Sequence, residues 1–253
     1  SDRETRDVAS ESLFIFGHKN PSAIFSETIK SLSFNDDYVA MRLVPICFGV
    51  ITNIFSDSNK EKIYQFYNAL CSSLIGPNAS HSTNNIVIRQ YFLKIREYLL
   101  FCGIIGNSDT NTNFALKIEP HSIPETDPLA QDLSKALHMD FENYTLGTLF
   151  KSRRNYDNNH QGHKDCVSYI RGLLASFNWN TKEMMELDKR LYNSRDRGNR
   201  NPVERYGKKY SWIGFYRYAG MLDHLGNLDV HYDDFKNGDI DPSFIRPPDR
   251  KST

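Results

Sequence analysis

The sequence has no surplus of charge: 31 Lys and Arg meet 31 Asp and Glu. That removes the global electrostatic footprint expected of a protein that binds nucleic acid or an acidic membrane. Cysteine is scarce. Four occur in 253 residues, and Cys47, Cys71, Cys102 and Cys166 form no C-x-x-C. No zinc pattern exists, and buried, reduced thiols are expected. Long apolar runs are missing too. The longest, such as Leu43 to Ile51, are too short to span a bilayer, and no secretory leader is visible. A cytoplasmic protein with no membrane partner is expected. Phosphate-cradling glycines are absent, with no G-x-x-x-x-G-K-[ST] and no G-x-G-x-x-G. So are G-x-S-x-G, H-E-x-x-H and the calcium-binding EF-hand loop. No cofactor, no metal and no catalytic residue is expected. The chain opens SDRETRDVASES, polar and without Met, which reads as a fragment of a longer protein.

What is present is apolar residues at helical spacing, and aromatics: 16 Phe and 14 Tyr. The length suits one large domain or two small ones. Residues 1–12 read as a polar arm, followed by a short apolar burst that ends at Gly17. A helix is expected from Pro21 to Leu32. Another opens at Asp36 and Asp37, where the helix dipole favours acids, and carries Pro45 as a kink. Two more end at Gly76 and Gly103. Helices recur about every 45–50 residues, close to the 40–47 of HEAT-like pairs. Asp37-x-Val39-x-x-Arg42 and Asn85-x-Val87-x-Arg89 echo one another weakly, so an ordinary bundle stays open beside the repeat.

The texture changes at 106–128, where prolines at 120, 124 and 128 block helix and a surface linker or lid is expected. Residues 129–253 read as a C-terminal helical module. Its run KSRRNYDNNHQGHK, 151–164, reads as an exposed basic loop before a helix at 166–177 and another at 182–192. The fold class expected is mainly α. Helical hairpins, a HEAT-like solenoid or a bundle, fill 1–105, and an irregular helical module follows the linker.

The densest stretch is Asn201 to Leu225, NPVERYGKKYSWIGFYRYAGMLDHL. Asn201 reads as an N-cap, Pro202 as the first helical residue and Glu204 as the reciprocal cap. At 100° per residue Arg205, Lys208, Lys209 and Trp212 share one side. They form either a recognition face for an anion, peptide or nucleic acid, or snorkelling stems at the core's edge. Charge around them is uneven. Lys189 to Arg217 holds nine Lys/Arg against two Asp/Glu, and Tyr218 to Asp249 holds two Lys/Arg against seven Asp. Folding of the acidic tail onto this helix, with Arg205 or Lys209 pairing Asp239 or Asp241, would make the face a structural seam.

A second candidate surface is Arg153, Arg154 and His160. Arg154-Asn155 followed by His160 resembles the arginine, polar residue and histidine of HEPN ribonucleases. There an arginine stabilises phosphate charge and a histidine moves a proton. His160 and His163 could also hold a metal with a distant carboxylate, although a lone pair in a polar loop rarely does.

Three segments together resemble a known family. They are Asp140-Phe141-Glu142-Asn143-Tyr144, then Leu173 to Asp188 with Trp179 ahead of an Asp-ended helix, then Glu204-Arg205-Tyr206-Gly207-Lys208-Lys209-Tyr210-Ser211-Trp212-Ile213 followed by Asp239-Ile240-Asp241-Pro242. Their order is similar to the C-terminal region of very large bacterial STAND-type NTPases of antiviral, AVAST-like defence systems. The likeness spans roughly 85–245, and the G-K-K-Y-x-W-I run is its specific part. It implies a helical, non-catalytic sensor that binds a protein ligand such as a phage protein, or packs on the rest of its own chain. The sensor and the ribonuclease are the readings to separate, together with a single-stranded nucleic-acid binder built on the basic aromatic helix.

Overall fold

The computed structural model describes residues 3–34, 36–106, 117, 137, 141–150, 157, 159–177, 179, 182–193 and 206–228. These form eight α-helices: α1 Arg3–Lys19, α2 Pro21–Ser31, α3 Asp37–Ile54, α4 Lys60–Leu74, α5 Ile86–Phe101, α6 Gln161–Ser176, α7 Lys182–Asn193 and α8 Tyr206–His224. A π-helical turn, Phe141–Thr145, and a 3-10 turn, Leu146–Leu149, precede α6. No strand occurs among the described residues, so the mainly α expectation holds.

The local rules that set the helix ends are visible. Asp36 caps α3 by accepting the Tyr38 N–H at 2.9 Å. Asn85 caps α5 from the Val87 and Ile88 N–H groups. At the end of α8 the Asn227 N–H reaches the Leu222 carbonyl and the Gly226 N–H reaches Asp223, a paired closure that needs Gly226 at φ 68°. The start of the chain departs from expectation. The polar arm is the first half of α1, and Gly17 lies inside that helix rather than ending it. A Cβ at Gly17 would sit 2.9 Å from Val50 and 3.0 Å from Ile24, so this glycine serves close packing. Likewise 161–164 belong to α6 and not to the preceding loop.

The helices form a row. α1 packs on α3, α3 on α5, α5 on α8 and α8 on α6, while α2 crosses α1 and α3 and touches α4. One continuous apolar core runs through the row, from Ile24 and Val44 through Phe92 and Ile95 to Ile170 and Phe215. α3 is long and apolar enough to cross a membrane by length and composition, yet half of it is buried inside the protein. Of the 106–128 segment, Gly106 is described at its start and, beyond it, only Lys117. It is bound at three points, through the Leu74 carbonyl, the Thr83 N–H and the Ala79 carbonyl.

All four cysteines are free, and Cys47 and Cys166 are buried. Burial pushes the Cys47 thiol up to about 12, offset slightly by its Thr28 partner, and pushes Cys166 well up. An unfolded chain releases these protons near pH 8.5, whereas the native chain keeps them. Between about pH 9 and 12 the unfolded state therefore binds fewer protons, and stability falls as pH rises. The expected loss is on the order of 1 kcal/mol per pH unit for each buried thiol. Urea titrations across that range check it: the slope should shrink in Cys47→Ala.

Candidate functional site

Of the residues singled out on the basic helix, Lys209 meets the N-terminus of α3, where Arg217, not singled out, joins it. Asp37 lies in the first turn of α3 and Asp36 caps it, so both carboxylates sit at the positive end of the helix dipole. Two cations of α8 meet them. Lys209 Nζ donates to Asp36 Oδ2. Arg217 Nε and Nη2 donate to the two oxygens of Asp37 at 2.7 and 2.8 Å, a bidentate pair that is largely buried. Tyr38 sits among cations: Lys209 Nζ lies 5.1 Å from its ring centroid, the Arg42 guanidinium 5.6 Å, and Arg6 Nη1 donates to its hydroxyl at 3.2 Å.

Within the described residues this is a seam between α8 and the start of α3. Lys209 finds its carboxylate at residue 36, and the tail residues Asp239 and Asp241 lie outside the described residues. Trp212 is half-buried. Its ring meets Phe141 edge-on at 5.0 Å, lies against Tyr216 at 5.6 Å and touches Phe215. Lys208 is half-buried. Arg205, Arg153 and Arg154 lie outside the described residues. With Lys209 and Arg217 each matched by a carboxylate and the indole in an aromatic cluster, α8 reads as architecture.

The Arg217–Asp37 pair should be costly to break from one side only. Arg217→Met leaves a desolvated carboxylate, and the expected loss is about 3 kcal/mol. Asp37→Asn together with Arg217→Met should cost less than the single changes added. A double-mutant cycle in urea measures the coupling, expected at about 2 kcal/mol.

The start of α8 is held by a residue that the sequence reading named only as the end of the Leu173 to Asp188 segment and gave no role. Asp188 on α7 is 3% exposed. Its Oδ1 accepts the Tyr206 N–H at 2.7 Å, and its Oδ2 accepts the Gly207 N–H at 2.8 Å and the Trp179 indole N–H at 3.0 Å. A carboxylate on another helix thus caps α8 within the described residues. The arrangement requires Gly207, because a Cβ there would lie 2.8 Å from Asp188 Oδ2 and 2.9 Å from the Trp179 ring. At the other end of α8, Arg89 is buried, and its guanidinium lies 3.8 Å from Asp223. Burial pulls its pKa down, and Asp223 partly opposes that.

The two histidines near the start of α6 are also committed. His160 is the N-cap, and its Nδ1 accepts the His163 N–H at 3.3 Å. Its ring lies 5.2 Å from Phe150. His163 is buried, with Nε2 2.9 Å from the Glu142 carbonyl oxygen, which can only accept, so Nε2 carries the proton. Among the described residues no group of three His, Cys, Asp or Glu is placed to hold a metal. Comparison of the chain with known protein families, with curated proteins and with solved structures finds no match.

Proposed function

We propose that the chain is a non-catalytic protein-recognition module, the helical sensor portion of a large bacterial anti-phage NTPase of the STAND type. One observation carries the non-catalytic part. Among the described residues, the side chains best suited to chemistry are engaged in holding helices together: His160 caps α6, His163 ties α6 to the Glu142 turn, Asp188 caps α8, and Lys209 pairs with Asp36. The specific assignment rests on the Gly207-Lys208-Lys209-Tyr210-Ser211-Trp212-Ile213 run and the order of segments around it. In this reading the run builds the module, and its ligand is met elsewhere on the surface. The ligand class is a folded protein, with a phage protein the first candidate. Location is cytoplasmic, with no membrane and no cofactor.

The test uses the chain as bait in lysate from virus-infected bacteria, with a nuclease-treated control and mass spectrometry. A single phage protein recovered in stoichiometric amount, and rebound when purified, is the expected result. Recovery of nucleic acid alone, with RNA cleavage lost in Arg154→Ala and His160→Ala, would replace this reading with the ribonuclease. Nucleic acid held without cleavage, and released by salt, would replace it with the single-stranded binder.

A further inference from the structure

The two charges at the far end of α8 stand at the wrong ends of their helices. Arg89 lies at the start of α5, where the positive end of the helix dipole disfavours a cation. Asp223 lies in the last turn of α8, where the negative end disfavours an anion. Arg217 and Asp37 show how this protein satisfies a buried pair, with two hydrogen bonds at 2.7 and 2.8 Å. Arg89 has nothing comparable. Its side chain is nine-tenths buried. Its Nε and Nη1 are shut off from water, and neither has a hydrogen-bond partner among the described residues. Asp223 approaches Nη2 only to 3.8 Å, and its own side chain is 45% exposed. A guanidinium held this way costs the closed structure desolvation that no bond offsets.

The turn that carries Asp223 is thinly attached. Met221 and Leu222 are buried, whereas every residue from Asp223 to Asn227 is exposed, Leu225 at 59%. The turn is closed by backbone bonds of its own: Leu225 N–H to Met221, Gly226 N–H to Asp223 and Asn227 N–H to Leu222. One step earlier the helix is fixed, because Gly220 sits against the Asn84 carbonyl. The passage from fixed to loose therefore falls at Leu222–Asp223. Opening beyond that point loses little apolar contact, and the freed backbone groups meet water at once.

We propose that the last turn of α8, Asp223 to Asn227, is a latch that opens while the rest of the fold stays closed, favoured by the water that the Arg89 guanidinium then gains. Because Gly226 turns the chain at this point, the latch sets the direction in which the chain leaves α8. Native-state hydrogen exchange of the 253-residue chain reads it at the Leu225, Gly226 and Asn227 amides. Arg89→Met keeps much of the volume and removes the charge. Exchange at these amides should slow at least about tenfold, with no fall in melting temperature. If the pair were an ordinary anchor, Arg89→Met would instead speed exchange; that result overturns the proposal, as does an unchanged rate. Position 223 tests the same idea from the surface, where substitution does not endanger the fold. Asp223→Glu reaches Nη2 and gives the closed guanidinium a partner, so exchange should slow. Asp223→Asn withdraws the carboxylate, and exchange should speed up about tenfold. Equal rates in these two variants overturn the proposal.

Discussion

Asp188→Ala is expected to lower the melting temperature by about 10 °C, corresponding to about 3–4 kcal/mol for a chain of this size. The carboxylate is 3% exposed and accepts three N–H groups, from Trp179, Tyr206 and Gly207. Removing it strands the Trp179 and Gly207 donors in a buried site and the Tyr206 N–H at its edge, and each stranded buried donor costs about 1–3 kcal/mol before relaxation. Relaxation and water entry recover part of that, which sets the lower total. Asp188→Asn is the sharper probe. It keeps the volume but turns one acceptor oxygen into a donor facing N–H groups, so it should recover little. Trp179→Phe removes a single donor and leaves the cap on α8, and should cost clearly less than either. Thermal and urea unfolding of the three variants give the order. If Asp188→Asn proved as stable as the parent, the carboxylate would not be the cap of α8.

Much of this architecture was legible because it is local. The acidic start of α3 at Asp36 and Asp37, the glycine stops at Gly76 and Gly103, and apolar spacing are all read from neighbouring residues. α1 was misjudged for a physical reason. Arg, Glu, Asp, Ala and Ser form an exposed helix without an apolar stripe along their first turns, and a glycine counts as a stop only if it is not packing a neighbour. The seam was half legible. The excess of cations between Lys189 and Arg217 implied acidic partners, but pairing is decided in space. The partners lie 173 and 180 residues away, at Asp36 and Asp37. The role of Asp188, named in the sequence only as the end of the Leu173 to Asp188 segment, was hidden for the same reason. It stands beside Lys189 and Arg190 in a sequence that reads as solvated, and only the arrival of Trp179 and the start of α8 makes its burial tolerable. His163 illustrates the converse. A polar run suggested exposure, whereas the helix begins early enough to turn that ring inward.

The strongest single constraint on how the first hundred residues meet α8 is a glycine. A Cβ at Gly220 would lie 1.9 Å from the carbonyl oxygen of Asn84 and 3.0 Å from the Ile86 nitrogen. Both obstacles are backbone, so no rotamer change can clear them. Two opposing effects decide Gly220→Ala. In a helix interior alanine is favoured over glycine by about 1 kcal/mol. Overpacking costs about 1–3 kcal/mol when side chains can yield, and more when they cannot. Here the Asn84 segment leads directly into the Asn85 cap of α5, so moving it disturbs the Val87 and Ile88 N–H bonds and the buried Arg89 behind them. The clash wins, and a net loss of about 4 kcal/mol is expected, read as a lower urea midpoint or as loss of soluble protein. A control separates steric cost from general sensitivity. Ser12→Ala on the outward face of α1 gains the same kind of helix propensity with nothing in its way, and should be neutral or slightly stabilising. If Gly220→Ala were also stabilising, by the 1 kcal/mol or so that propensity alone provides, α8 and the α5 cap could not be in contact. The row of helices would then have to be drawn with a gap at that point.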